Sequence, residues 1–133
     1  LEKKPANARQ AAALKVTEGT AIFHSVMVHF ENDQPVQIED RCVNADIVPE
    51  YLAQDYSQTT PHAYLSLIAP LTEGEHIVEA VRATTQECAL LDIGETDPCL
   101  LIRRTTWSAS QIVSHARLLF PGSRYRLQGH FSS

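Results

Sequence analysis

Two residues apart on one alternating stretch, Glu39 and Arg41 offer a carboxylate and a guanidinium to the same side of a strand. They sit in Pro35-Val36-Gln37-Ile38-Glu39-Asp40-Arg41-Cys42-Val43-Asn44, where apolar and polar residues alternate as in a half-buried strand. Period 2 puts Gln37, Glu39, Arg41 and Val43 on one face, and Val36, Ile38, Asp40 and Cys42 on the other. Arginine suits a carboxylate through two parallel hydrogen bonds, and glutamate accepts from an N–H or a hydroxyl. Such a strand is either a solvated edge or the floor of a polar pocket.

Isolated polar residues recur on other apolar strands. Glu79 lies between Ile77 and Val81, and Arg103 and Arg104 follow Leu100-Leu101-Ile102. His115 and Arg117 share a face flanked by Val113 and Leu119, and Tyr125 opens a last strand. A buried charge must be paired or neutralised. One reading therefore closes these groups into structural ion pairs, such as Glu39–Arg41 or Glu79–Arg103. The other brings several strands together around one cavity with apolar walls and a few convergent polar groups. Spacing alone leaves both open.

Other chemistries find little support. GxSxG, HExxH, GxxxxGK[ST] and GxGxxG are all missing, and five scattered glycines make no phosphate loop. His24 and His29 are an odd interval apart, so one strand turns them to opposite faces. No metal site and no cofactor is expected.

The elements that must carry these residues follow from local signals. Asn7 caps a helix over Ala8–Lys15. Thr20–Glu31 alternates as a long strand, and the turn cluster Asn32-Asp33-Gln34-Pro35 folds it back onto Val36–Ala45. A loop with a short helical turn surrounds Pro49. Thr60-Pro61 opens a helix over His62–Ala69 that Pro70 stops. Glu75–Thr84 is a strand, and Thr84-Thr85-Gln86-Glu87 is a capping box for a helix ending at Gly94. Strands Cys99–Trp107, Gln111–Phe120 and Arg124–Phe131 then form an antiparallel meander. The class is α+β: a six-stranded antiparallel sheet with helices packed on one side of it.

A chain of 133 residues, 44% hydrophobic and 20% charged, makes one globular domain. Eleven Lys+Arg against sixteen Asp+Glu give a net charge of -5, so this domain lacks the basic footprint of nucleic-acid binding. Cys42, Cys88 and Cys99 are odd in number and widely spaced, which favours reduced thiols filling a core in a cytoplasmic protein. No apolar run reaches membrane-spanning length. Leu1-Glu2-Lys3-Lys4-Pro5 has no signal-peptide character, so the chain reads as an excised domain of something longer.

The order of these segments is informative. Asn32-Asp33-Gln34-Pro35 is followed by Glu39-Asp40-Arg41, Pro49-Glu50-Tyr51-Leu52, Glu75-His76-Ile77-Val78-Glu79-Ala80, Leu100–Trp107 and Pro121-Gly122-Ser123-Arg124-Tyr125-Arg126-Leu127. From about Ala11 to Phe131 this resembles the effector-binding (UTRA) domain of GntR-type bacterial transcription regulators. That family has a chorismate-lyase-like fold.

The resemblance implies a homodimer and a winged helix-turn-helix before Leu1 that binds operator DNA. It also implies a small-molecule effector rather than catalysis. The family's ligand-contacting glutamate matches Glu39, its last-strand tyrosine matches Tyr125, and its capping helix matches Thr60–Leu67, with Tyr64 at a contact position. Sugar-phosphate-responsive members carry Arg-x-Arg where this chain has Met27-Val28-His29, which disfavours a phosphosugar.

Within the family the chain looks closest to repressors of histidine utilisation, induced by urocanate, an imidazole joined to an acrylate. That implies Arg41 at the carboxylate and Glu39 or Glu79 at the imidazole. Arg103, His115 and Tyr125 would join the wall, and Tyr64 would reach in from the lid. Alternatives are a related regulator sensing another small carboxylate, a chorismate-lyase-like enzyme, and a dimerisation module without ligand.

Overall fold

The computed structural model describes residues 1–69, 71–130 and 132. Its strands are β1 (Glu2–Pro5), β2 (Ala21–Glu31), β3 (Gln34–Asn44), β4 (Glu73–Arg82), β5 (Pro98–Ser108) and β6 (Gln111–Pro121). Its α-helices are α1 (Ala8–Leu14), α2 (Pro61–Ile68) and α3 (Thr85–Leu91), with a 3₁₀ turn at Tyr51–Ala53. The strands form one antiparallel sheet in the order β1-β2-β3-β6-β5-β4.

The helix starts follow the sequence signals. Asn7 and Gln10 make a reciprocal capping box for α1, and Thr84 and Glu87 make one for α3. Thr60 accepts from the Ala63 N–H, with Pro61 as the first helical residue of α2. Pro70, the expected stop of α2, lies outside the described residues. Asn32 (φ 51) and Asp33 (φ 63) are both left-handed, which gives the β2–β3 hairpin a two-residue turn matching strand twist.

The sixth strand differs from expectation. Residues 124–130 form no strand, and Phe131 lies outside the described residues. β6 already has β3 on one side and β5 on the other, so a strand after the Pro121-Gly122 turn has no free edge to join. Instead, Arg124 donates to the carbonyls of Pro35, Leu91 and Asp92, and Tyr125 stacks on Phe120 at 3.8 Å between centroids. A Cβ on Gly122 would meet the Pro98 carbonyl oxygen at 2.8 Å, so the turn admits only glycine there. The sheet reaches six strands through β1, a four-residue edge too short for its alternation to be read.

Helices cover both faces rather than one. On one face, Ala11 and Leu14 of α1 pack with Ile22, Cys42 and Ile112, and Leu91 of α3 packs with Ile38, Leu101 and Leu119. On the other, Tyr64 and Leu65 of α2 join Phe23, Val43, Val48, Tyr51 and Val113. The three cysteines are free and buried, as expected of core residues.

Candidate functional site

The face of the sheet beneath α2 gathers polar groups from five strands, β2 to β6. The β2–β3 register sets Ser25 opposite Arg41 and Met27 opposite Glu39. β3–β6 sets Arg41 opposite Ala116, β5–β6 sets Arg104 opposite Ala116, and β4–β5 sets His76 opposite Arg104. Paired residues share a face, so Glu39, Arg41, Arg104 and His76 all look toward α2.

Arg41 is 1% exposed, a burial that demands partners. Its Nε donates to Glu39 Oε2 at 3.1 Å and its Nη1 to Ser114 Oγ at 3.1 Å, with Ser114 in turn 2.9 Å from Thr106 Oγ1. Glu39 Oε1 meets His29 Nε2 at 3.0 Å. Burial alone would raise the Glu39 pKa, but the His29 hydrogen bond and the Arg41 charge outweigh it and hold Glu39 below the ordinary carboxylate range. The floor is thus an ionised carboxylate gripped from two sides.

The wall is built by α2, β4 and β5. Arg104 Nε donates to His76 Nε2 at 2.8 Å, so that ring nitrogen carries no proton and the imidazole is neutral, protonated on Nδ1. Burial, then the Arg104 charge, lowers the His76 pKa accordingly. His62, in the first turn of α2, is pushed down by burial and by the charges of Arg104 and Arg41. Burial and the nearby Arg41 also lower Arg104, a guanidinium that nonetheless stays charged.

Two adjoining hollows result. One, of about 280 Å³, is lined by His29, Gln37, Glu39, Arg41, Thr60, His62, Arg104 and Leu118. The other, of about 500 Å³, shares His62 and Arg104 and extends past Thr106 to Leu71, Glu73, Gly74 and His76. Together they make a cleft with acceptors at the Glu39–His29 end and the Arg104 guanidinium at the other. A small planar molecule with a ring N–H at one end and a carboxylate at the other matches that polarity. Among the described residues, no group of three His, Cys, Asp or Glu side chains converges as metal ligands.

The residues singled out in the sequence divide between the two faces. Glu39 and Arg41 line the cleft. Tyr64 is buried in the core beneath α2, and Tyr125 lies on the same face, within electrostatic reach of Arg104. Glu79, Arg103 and His115 lie on the opposite face. There Arg103 donates to Glu79 at 2.7 Å, and Thr105 Oγ1 and His115 Nδ1 are 3.0 Å apart. Arg103, His115, Asp40 and Arg117 line a separate hollow of about 70 Å³ beside α1. Both ion pairs considered from the sequence form, Glu39–Arg41 in the cleft floor and Glu79–Arg103 on the other side. His29, His62 and His76 belong to the cleft without having been singled out, and Arg104, named beside Arg103 among the polar strand residues, had not been assigned to the site. For Arg104 the signal was present, one residue from Arg103 on an alternating strand.

Comparison with known proteins bears on this architecture. The UTRA domain family matches residues 1–126. The histidine utilization repressor of Klebsiella aerogenes is 74% identical over 133 residues, which span all of this chain and 55% of that protein. The histidine utilization repressor of Pseudomonas putida is 59% identical over 99% of this chain and 53% of its own length. The chain thus spans about half the length of the curated relatives it matches. Among solved structures, the C-terminal domain of the histidine utilization repressor from Pseudomonas syringae pv. tomato superposes with a TM-score of 0.97. It is 58% identical, over 100% of this chain and 94% of that one.

Proposed function

The chain belongs to the UTRA domain family, and from that premise we propose that it is the effector-sensing half of a cytoplasmic repressor of histidine-utilisation genes. Its effector is urocanate. Operator DNA is bound by a winged helix-turn-helix in the part of the protein that the chain does not include, and the working unit is a homodimer. The relatives are named repressors, and the reading is of a sensor rather than an enzyme.

The observation that carries the ligand assignment is the polarity of the cleft. Arg104 takes the acrylate carboxylate at the β4–β5 end, with Arg41 adding positive potential from the floor. Glu39, fixed by His29 and Arg41, accepts from the imidazole N–H. His62 and Thr60 at the start of α2 close over the ligand, so binding is sensed by the helix as well as by the sheet. Relief of repression then requires that the bound form favour an arrangement of the dimer whose DNA heads no longer fit the operator half-sites. The coupling is reciprocal, about 1–3 kcal/mol.

Thermal-shift titration of the chain with urocanate tests this, with histidine and N-acetylglucosamine 6-phosphate as controls. At a hundredfold excess over Kd, binding adds about 2.7 kcal/mol of stability. A Tm rise confined to urocanate is expected. Equal shifts with all three, or none with urocanate, would refute the assignment.

A further inference from the structure

On the face that carries α1 and α3, the strand register sets Asp40 opposite Arg117, and Arg117 opposite Arg103. Like charges directly opposite are destabilising, so the two arginines are an unfavourable pair. Each donates to a glutamate at 2.7 Å, Arg103 Nε to Glu79 Oε1 and Arg117 Nη1 to Glu87 Oε2. Neither glutamate lines the hollow of about 70 Å³ that the two arginines share beside α1.

A second placement is unfavourable on local grounds. Arg9 stands in the first turn of α1, where the helix dipole favours an acid and disfavours a cation. It has no ion pair among the described residues, and it lines the same hollow. Three arginines and one acid, Asp40, thus surround this space in a domain of net charge -5. His115 adds no charge there, because burial and then the Arg103 charge lower its pKa from 6.5. Asp40 Oδ1 is engaged by His24 Nε2 at 2.7 Å, which leaves Oδ2 as an acceptor beside the cations. Departures from local preference that converge on one place mark functional sites.

We propose that this hollow binds inorganic hydrogen phosphate, with Arg9, Arg103 and Arg117 donating to its oxygens and Asp40 accepting from its P–OH. Guanidinium forks match phosphate oxygens, and three of them around one carboxylate favour a dianion. One water needs about 10–15 Å³ of such space, so the hollow takes a group of about five heavy atoms. That is the size of the free ion, with no room for the organic part of a phosphate ester.

The acceptor makes the site selective. Phosphate carries a proton at neutral pH and sulfate does not, so sulfate sets a bare oxygen against the Asp40 carboxylate. The site stands back to back with the cleft: Arg103 precedes Arg104, and Asp40 falls between Glu39 and Arg41. It does not rest on the effector reading above.

Calorimetric titration of the chain with sodium phosphate in a chloride buffer tests the site, with sodium sulfate and N-acetylglucosamine 6-phosphate as controls at matched ionic strength. Saturable binding of phosphate at millimolar concentration is expected, about tenfold tighter than for either control. Arg9→Gln, at an exposed position, should keep the circular dichroism and Tm of the parent and weaken phosphate about tenfold, as loss of one charge-assisted contact does. Asp40→Asn should bind sulfate as well as phosphate. Arg104→Ala, on the opposite face, should bind phosphate like the parent. No saturable heat with phosphate, equal affinity of the parent for either control, or full affinity in Arg9→Gln overturns the proposal. So does unchanged selectivity in Asp40→Asn, and a loss of phosphate binding in Arg104→Ala would put the anion in the cleft instead.

Discussion

Arg41 holds Glu39, two residues earlier on its own strand, through an Nε–Oε2 contact of 3.1 Å, and both side chains are almost wholly buried. Neighbours at this spacing share a face but stand nearly 7 Å apart along the strand, so the contact requires the long arginine to lie along the sheet. Each charge is then the other's main compensation. Glu39→Ala should cost about 3–5 kcal/mol, the penalty for leaving a buried charge unpaired. Urea unfolding of the variant measures it, and a midpoint within error of the parent would show that Ser114 alone suffices for Arg41.

Arg103 and Arg104 are adjacent in sequence and point to opposite faces, which makes them a matched pair for testing the cleft. Arg104→Ala should weaken urocanate binding by about 2–5 kcal/mol, as truncating one partner of a hydrogen-bonded charge pair does. Arg103→Ala, which loses only a half-exposed pairing with Glu79, should bind urocanate like the parent. Calorimetric titration of the two variants decides it, and equal losses would place the ligand elsewhere.

That pair also shows what the sequence reveals and what it hides. Alternation along each strand is legible, and so are the caps of all three helices and the Asn32-Asp33 turn. The relation between strands is not. A two-residue hairpin continued without interruption would set Val26 opposite Glu39 and His24 opposite Arg41. The bulge between His29 and Phe30 moves the register by one, bringing Met27 opposite Glu39 and Ser25 opposite Arg41, and His29 onto their face. Pro35, beside the unpaired Val36, is the local sign of the bulge, but in the sequence it reads equally well as the end of the turn cluster. Likewise, nothing local tells Arg103 from Arg104 until β5 is registered against β6 and β3, and the missing edge for a last strand is a property of the finished sheet.

The β5–β6 hairpin turns on Ala109 (φ 48) and Ser110 (φ 74), both left-handed without the residues that tolerate it. A non-glycine residue pays roughly 1–2 kcal/mol in that region, and Asn-Gly is the preferred pair for such a turn. Ala109→Asn combined with Ser110→Gly should therefore stabilise the domain by about 1 kcal/mol, part of the relief being offset by the entropy of the new glycine. A rise in Tm of a few degrees is expected. A fall would mean that the turn is held by contacts of the replaced side chains.

Stability should fall in two stages as the solution is acidified. His115 is lowered from its ordinary value of 6.5 by burial and by the charges of Arg103 and Arg41, and His62 and His76 are lowered in the same direction. A histidine with a depressed folded pKa takes up its proton in the unfolded chain first. The stability it contributes is therefore complete above about 6.5 and is lost as pH falls toward the folded value. Glu39 and Glu87 are lowered from 4.5, so their contribution persists through the first stage and is lost only below about 4.5, as pH falls through their folded values. Tm measured between pH 8 and pH 3 should show both declines, and His115→Gln should flatten the first without altering the second. An unchanged first slope in that variant would remove His115 from the linkage and leave it to the cleft histidines.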